Sequence, residues 1–307
     1  MGMPTAPSSR PGRAVLRGLA DLRPTPRIKE APFAVEDAVA QGLATAKVYE
    51  FASVDYPGAS LSIVFDTDGT TAVGAFAFDP SSPTSPTTAF TFNGGVYRIL
   101  SVPASTASVA TGINSAGLIV GVSVDLAGVL HGFSNDGGTF TPVDFPGAAG
   151  TQAIDVNDAG QIVGDFFDAA SVEHGYLASG GTFTPIDFPG STSTAAAGVN
   201  NAGDIVGVWS DGTISRAFLL QGGVFTPIAF PLSTSTTAFG INDSGEIAGV
   251  YSDAAGNFHG FIFADGAFST VDVGGARGTQ LTGIKNDGSV TGVFIDALNE
   301  QHGVVGR

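Results

Sequence analysis

The segment GTQAIDVNDAGQIVGDFFDAASVEHGYLASGGTFTPIDFPG, Gly150 to Gly190, decides the fold. It divides into four apolar runs of strand length: QAIDV, QIVGDFF, EHGYLA and TFTPIDF, here lettered a to d. The breaks between them, NDAG, DAAS and SGG, are rich in the residues that close tight turns. The pattern recurs along the chain. Asn114, Asn157, Asn200, Asn242 and Lys285 open successive N-x-x-G turns (K-x-x-G in the last) at spacings of 43, 43, 42 and 43 residues. Four short antiparallel strands in a unit of about 40–45 residues are the mark of a β-propeller blade.

Counting units outward from this segment gives six. Blade 1 begins near Ala59, with a divergent turn at Asp66–Gly69 and its strand d at Tyr97–Pro103. Blades 2 to 5 end near Gly147, Gly190, Pro231 and Gly275. The sixth unit has three strands, LTGIK, VTGVFID and HGVVG, before the chain stops at Arg307. Its missing strand d stands at the front as VYEFASVDYPG, 48–58. The sequence therefore predicts an all-β, six-bladed propeller over 48–307, four antiparallel strands per blade, closed by its N-terminal strand. Such closure removes the open edges that invite aggregation, whereas an open solenoid would leave partial units at both ends without a purpose.

Composition narrows the function. The chain has 44 glycines and no cysteine, which removes disulfides, thiolate metal sites and cysteine nucleophiles. No apolar run approaches the roughly 18 residues of a membrane-spanning helix. Residues 1–47 hold seven basic and four acidic side chains, a net of +3. Residues 48–307 hold five basic and twenty-four acidic ones, a net of −19. So acidic a body repels phosphate backbones, which argues against nucleic acid and leaves a protein partner or a small-molecule ligand.

The repeat resembles the HAF family of probable extracellular repeat proteins. The pattern G-I-N-x-x-G-x-I-V-G, then H-G-F, then F-T-x-I-D-x-P-G matches GINSAGLIVG (112–121), HGF (131–133) and FTPVDFPG (140–147). The resemblance covers about Val48 to Arg307 and implies a propeller-like fold in an exported or surface setting. It carries no catalytic residues, and no signal peptide is visible here.

Residues 1–47 are expected to form a basic arm, helical or flexible. GRAVLRGLADLR places Val15, Leu19 and Leu22 on one helical face, with Arg13, Arg17 and Arg23 around it. A second helix is expected from Phe33 to Ala46. A plain leader, a docking segment acting through Arg13, Arg17, Leu19 and Leu22, and a targeting peptide all fit.

In a propeller the d–a and b–c loops share one face, and the a–b and c–d turns share the other. The longer loops, with DPSSPTSPTT (79–88) the longest, place the expected ligand face on the d–a/b–c side. Tight a–b turns offer little room for side-chain chemistry. His131, His174, His259 and His302 occupy one position in strand c, with Thr88 and Arg216 in the other two blades. At that distance from the axis they cannot share a metal, and a repeated structural hydrogen bond is expected. Asp55, Asp144, Asp187 and Asp272 end strand d, and Asp125, Asp168, Asp211, Asp253 and Asp296 end strand b, where carboxylates usually cap backbone N–H groups. Calcium needs six to eight oxygens around one point, and no D-x-[DN]-x-[DN]-G string supplies them, so no cofactor is predicted, with calcium at the acidic loops left as the minor alternative.

Departures from the internal consensus nominate Asp155, Asp165, Trp209 and Arg216, all in blades 3 and 4, as ligand-binding candidates. Ideal pairing across the NDAG turn sets Asp155 opposite Ile162. Asp165 then faces the other side of the sheet, unless a bulge intervenes, and is free to pair with Arg216. Local catalytic motifs are absent, and one Trp with five Tyr is too few for a repeated sugar-stacking site. The sequence favours a non-catalytic binding module acting through the d–a/b–c face and the arm. The alternative is an enzyme of hydrolase, lyase or isomerase type, its polar site at the channel mouth in blades 3 and 4.

Overall fold

The computed structural model describes residues 48–80 and 86–307. The expected helices of the arm, with Arg13, Arg17, Leu19 and Leu22, lie outside the described residues, as does the middle of the 79–88 loop. Among the described residues there are 24 strands and no helix.

The first strand, β1 (Phe51–Ser53), precedes β2 (Leu61–Thr67), β3 (Thr71–Ala77), β4 (Thr88–Asn93) and β5 (Val96–Ile99). Next come β6 (Ser105–Ile113), β7 (Ile119–Asp125), β8 (Leu130–Asp136) and β9 (Thr139–Pro142). The third repeat is β10 (Gly150–Val156), β11 (Ile162–Phe167), β12 (Glu173–Ser179) and β13 (Thr182–Ile186). The fourth is β14 (Ser193–Val199), β15 (Ile205–Ser210), β16 (Ser215–Gln221) and β17 (Val224–Ile228). The fifth is β18 (Ser235–Ile241), β19 (Ile247–Ser252), β20 (Phe258–Ala264) and β21 (Ala267–Val271). The chain ends with β22 (Gly278–Ile284), β23 (Val290–Ile295) and β24 (Gln301–Gly306).

Repeats 2 to 5 each form a separate four-stranded sheet in sequence order. The remaining strands form one eight-stranded sheet, β22-β23-β24-β2-β3-β4-β5, with β1 pairing β24 off that path. Phe51, Ala52 and Ser53 pair antiparallel with Gly306, Val305 and Val304. The join between β24 and β2 is a single parallel pairing, Leu61 with Gln301.

The a–b turn shows why asparagine recurs. The Asn157 side-chain oxygen accepts from the N–H groups of Ala159 and Gln161, closing the turn over Gly160 at φ +73°. Asn114, Asn200 and Asn242 do the same. Each Asn side-chain N–H also donates to the carbonyl oxygen opening the next turn, from Asn114 to Asn157, to Asn200, to Asn242 and to Lys285. One residue thus shapes its own repeat and fastens it to the next.

Adjacent repeats bury apolar side chains against each other: Val163 and Ile186 of the third pack with Ala196, Val199, Ile205 and Phe218 of the fourth. Trp209 belongs to this packing. Its ring stacks on Phe188 at 4.3 Å, as Phe166 stacks on Phe145, Tyr251 on Phe230 and Phe76 on Tyr56. The lone tryptophan therefore fills an aromatic position that other repeats fill with Phe or Tyr.

Candidate ligand-binding channel

The first strand of each repeat packs against that of the next, and β22 packs against β2, so the six strands surround an axis. Every one carries a bulge. In β10, Asp155 pairs with Val163 and Val156 with Ile162, and the register shifts between Asp155 and Ala153. The expected pairing of Asp155 with Ile162 is corrected: the turn pairs Asn157 with Gln161 rather than with Gly160, which moves Asp155 by one, and the bulge at Ile154 restores the register at Ala153 and Gly164. The same shift in the other repeats ends at Asp66, Gly112, Gly198, Gly240 and Gly283. Glycine is required where backbones meet. A Cβ on Gly112 would lie 2.9 Å from the Asp155 Cα, and one on Gly240 would lie 2.9 Å from the Gly283 Cα.

Asp66 and Asp155 break this series in the same way. Each reaches to the next repeat, Asp66 accepting from Ile113 N–H at 3.0 Å and Asp155 from Val199 N–H at 2.9 Å. Asp155 also accepts from Val156 N–H. Lys285 stands where other repeats have asparagine, and its ammonium lies 2.7 Å from Asp66. Burial pushes the Asp155 carboxyl up to about 6; the nearby Asp66 charge adds to the rise and Lys285 opposes it. Burial alone would lower the Lys285 pKa, but Asp66 and Asp155 outweigh it and hold the ammonium above its usual range. The result is a fixed cation between two carboxylates on the channel wall.

A cavity of about 570 Å³ occupies the channel, lined by residues from all six repeats, among them Asp66, Asp155, Asp165, Glu173 and Lys285. Its rim includes the a–b turns. There Ser115, Asp158, Asn201, Asp243 and Asn286 are chained by side-chain hydrogen bonds from one repeat to the next. The expectation that this face leaves little room for side-chain chemistry is corrected. The turns are tight, but the second residues of the five N-x-x-G and K-x-x-G turns join in one polar belt.

Of the four nominated ligand-binding residues, Asp155 and Asp165 line the cavity; Trp209 and Arg216 do not. Nor does Asp165 meet Arg216. The guanidinium donates to the carbonyls of Ser215 and Thr234, while Asp165 accepts from the Gln152 amide at 2.6 Å. The physical reason is position: Arg216 sits on β16, paired with Trp209, at the outer part of its sheet. Asp165 is buried, and burial together with the neighbouring Glu173 charge raises its pKa well above the carboxylate range. Burial raises Glu173 as well.

The histidines do make a repeated structural contact, and it joins the two acid series that the sequence shows separately. His259 sits between Asp272, 2.7 Å from its Nδ1, and Asp253, 3.6 Å from its Nε2. His131, His174 and His302 repeat this with Asp144 and Asp125, Asp187 and Asp168, and Asp55 and Asp296. Where repeat 4 loses the strand-d acid, to Ala229, it also loses the histidine, to Arg216. The strand-b acids cap their own turns, as Asp253 does by accepting from Ala255 and Asn257 N–H. Asp296, Glu300 and His302 come within 4.8 Å of one another, but Asp296 is already engaged in such a cap through Leu298 and Glu300 N–H.

Sequence reasoning missed Asp66, Lys285 and Glu173 as members of this site, and Gln152 as the partner of Asp165 behind it. The signal for two of them was within reach. Gln152 and Glu173 stand where repeat 2 has Val109 and Leu130, so repeat 3 changes three apolar positions to polar ones together.

The chain matches no protein-family model and no curated protein sequence. Its fold is similar to solved structures. The β-propeller domain of the trilobed protease from Pyrococcus furiosus, described as having an open velcro topology, matches at a TM-score of 0.50 and 13% identity, over 80% of this chain and 95% of that one. AofleA from Arthrobotrys oligospora matches at 0.55 and 13% identity, over 84% and 86%. TolB from Acinetobacter baumannii matches at 0.57 and 11% identity, over 78% of this chain but only 64% of TolB. At such identities the likeness establishes a β-propeller fold and nothing about activity.

Proposed function

We propose that the chain is a six-bladed β-propeller closed by β1, and that it serves as a non-catalytic binding module holding a small polar ligand in its channel. The six-blade reading is supported by the single pairing that joins β24 to β2, which marks a boundary between two blades, and by the three residue pairs through which β1 completes the last one. We also take the repeat to be of the HAF type, since its recurring asparagine has a defined task as inter-repeat donor.

The observation that carries the binding role is the channel cavity of about 570 Å³, with buried charges on its wall and contributions from every repeat. Ligand sites are concave, largely apolar and equipped with a few placed polar groups. A contribution from the d–a/b–c face or the basic arm to a protein partner fits beside this role. One observation favours the enzyme reading: the Asp155 carboxyl, raised to about 6 and close to Lys285, suits proton transfer near neutral pH.

Native mass spectrometry of the full-length protein, beside a version lacking residues 1–46, tests the proposal. Retained small-molecule mass in both forms, reduced in Asp155→Asn, is the expected result. A bare mass in both, with assembly only when residues 1–46 are present, would overturn the channel role in favour of a protein-docking one. Turnover of the retained molecule would move the function to the enzyme reading.

A further inference from the structure

Three polar side chains of repeat 3 gather on one face of its sheet. Gln152 on β10 pairs directly with Asp165 on β11, and Asp165 pairs with Gly175 on β12. Directly paired residues share a face, and Glu173, two positions from Gly175, shares it too. Such a diagonal neighbour lies within reach of a long side chain. The glycine keeps the row open toward the next repeat, where the Ala196 Cβ would lie 3.5 Å from a Cβ placed on Gly175.

Chemically the row is lopsided. The Gln152 amide gives an N–H to Asp165 and leaves its oxygen, Oε1, buried with no partner among the described residues. Gln152 itself is 0% exposed and Asp165 2%. A buried acceptor without a donor is destabilising, and a buried carboxylate without a cation is more so. Lys285 does not serve, since it is engaged with Asp66. The row therefore offers oxygen acceptors and negative charge, and lacks a donor and a positive charge.

We propose that this part of the channel cavity receives the primary ammonium group of a small organic cation, with Asp165 and Glu173, both on the cavity wall, accepting its N–H donors and Gln152 holding Asp165 in place from behind. This rests on the channel-binding reading above and names its ligand class. A divalent cation is a poorer fit, because calcium takes six to eight oxygens and magnesium a near-octahedral six, whereas two carboxylates of this row line the cavity. Ala196 and Ala197 on the cavity wall supply apolar surface for the organic remainder. In the free protein the raised pKa values of Asp165 and Glu173 describe the same deficit, which protons fill when no cation is bound.

Isothermal titration of the full-length protein with n-hexylammonium chloride, 1-hexanol, CaCl2 and MgCl2 tests this. Hexylammonium should bind at one site at least tenfold more tightly than hexanol. Asp165→Asn and Glu173→Gln should each remove tenfold or more of that affinity and leave hexanol binding unchanged. Thermal melts establish that each variant is folded; if Asp165→Asn is not, the half-buried Glu173→Gln decides alone. Equal affinity for hexanol and hexylammonium, or no loss in folded variants, overturns the ammonium site while the cavity reading stands. Binding of neither compound overturns both. Calcium or magnesium binding that Glu173→Gln abolishes, without hexylammonium binding, replaces the proposal with a metal site.

Discussion

Replacing Lys285 with methionine removes the one cation that lines the channel among the described residues. Its ammonium lies 2.7 Å from an Asp66 side chain that is only 9% exposed, with Asp155 beside it. Methionine keeps the apolar stem, so the loss is chiefly one of charge. Asp66 still accepts from Ile113 N–H and Asp155 from Val199 N–H, but the two carboxylates then face each other uncompensated. Removing one partner of a buried ion pair typically costs 3–5 kcal/mol, and urea unfolding at pH 7 should show a loss of about that size. Adding Asp66→Asn removes the orphaned charge and should recover more than half of it. A Lys285→Met protein within about 1 kcal/mol of the parent, or no recovery in the double variant, would refute the account of these charges as coupled.

The remaining expectations concern other parts of the molecule. Asn157→Ala removes two turn-closing bonds and the donor to Asn200, and should cost about 2–4 kcal/mol in urea unfolding, against under about 1 kcal/mol for the exposed Asn201→Ala. Asp155 titrates at about 6 when folded against 3.8 in its unperturbed state, so between those values the folded chain holds the extra proton and stability falls as pH rises. That fall amounts to about 3 kcal/mol from Asp155, and Asp155→Asn should flatten the stability profile across that window by a comparable amount. His259 is held above the usual histidine value, first by its hydrogen bond to Asp272, so its contribution is full below pH 6.5 and is lost as pH rises through the folded value. Its NMR titration should move toward lower pH in Asp272→Asn; an unmoved midpoint would show that Asp253 alone sets it.

The strands, their turns and the repeat boundaries were readable because each depends on residues close in sequence. Alternation and Gly-containing turns act over a few positions, and a 43-residue period exposes each repeat against its neighbours. The placement of VYEFASVDYPG came from counting repeats; within it Phe51–Ser53 pairs with β24 through three residue pairs. The histidine contact was readable in kind but not in partner, since Nδ1 bonds an acid 13 residues away in three repeats and 247 away in the last.

The channel chemistry was decided elsewhere. Pairing Asn157 with Gly160 put Asp155 opposite Ile162, but the turn pairs Asn157 with Gln161 instead, and the bulge that follows at Ile154 returns the register and sets Gln152 opposite Asp165. Lys285 looked like drift from asparagine, and Asp66 like part of a divergent turn. They are 219 positions apart in sequence and meet only because β22 packs against β2. The proton affinity of Asp165 follows from its burial, with the Glu173 charge of the neighbouring strand adding to it: the acids can be read from the repeat, but their burial is a tertiary property. Local periodicity settles the strands; closing them around an axis settles which charges must live together.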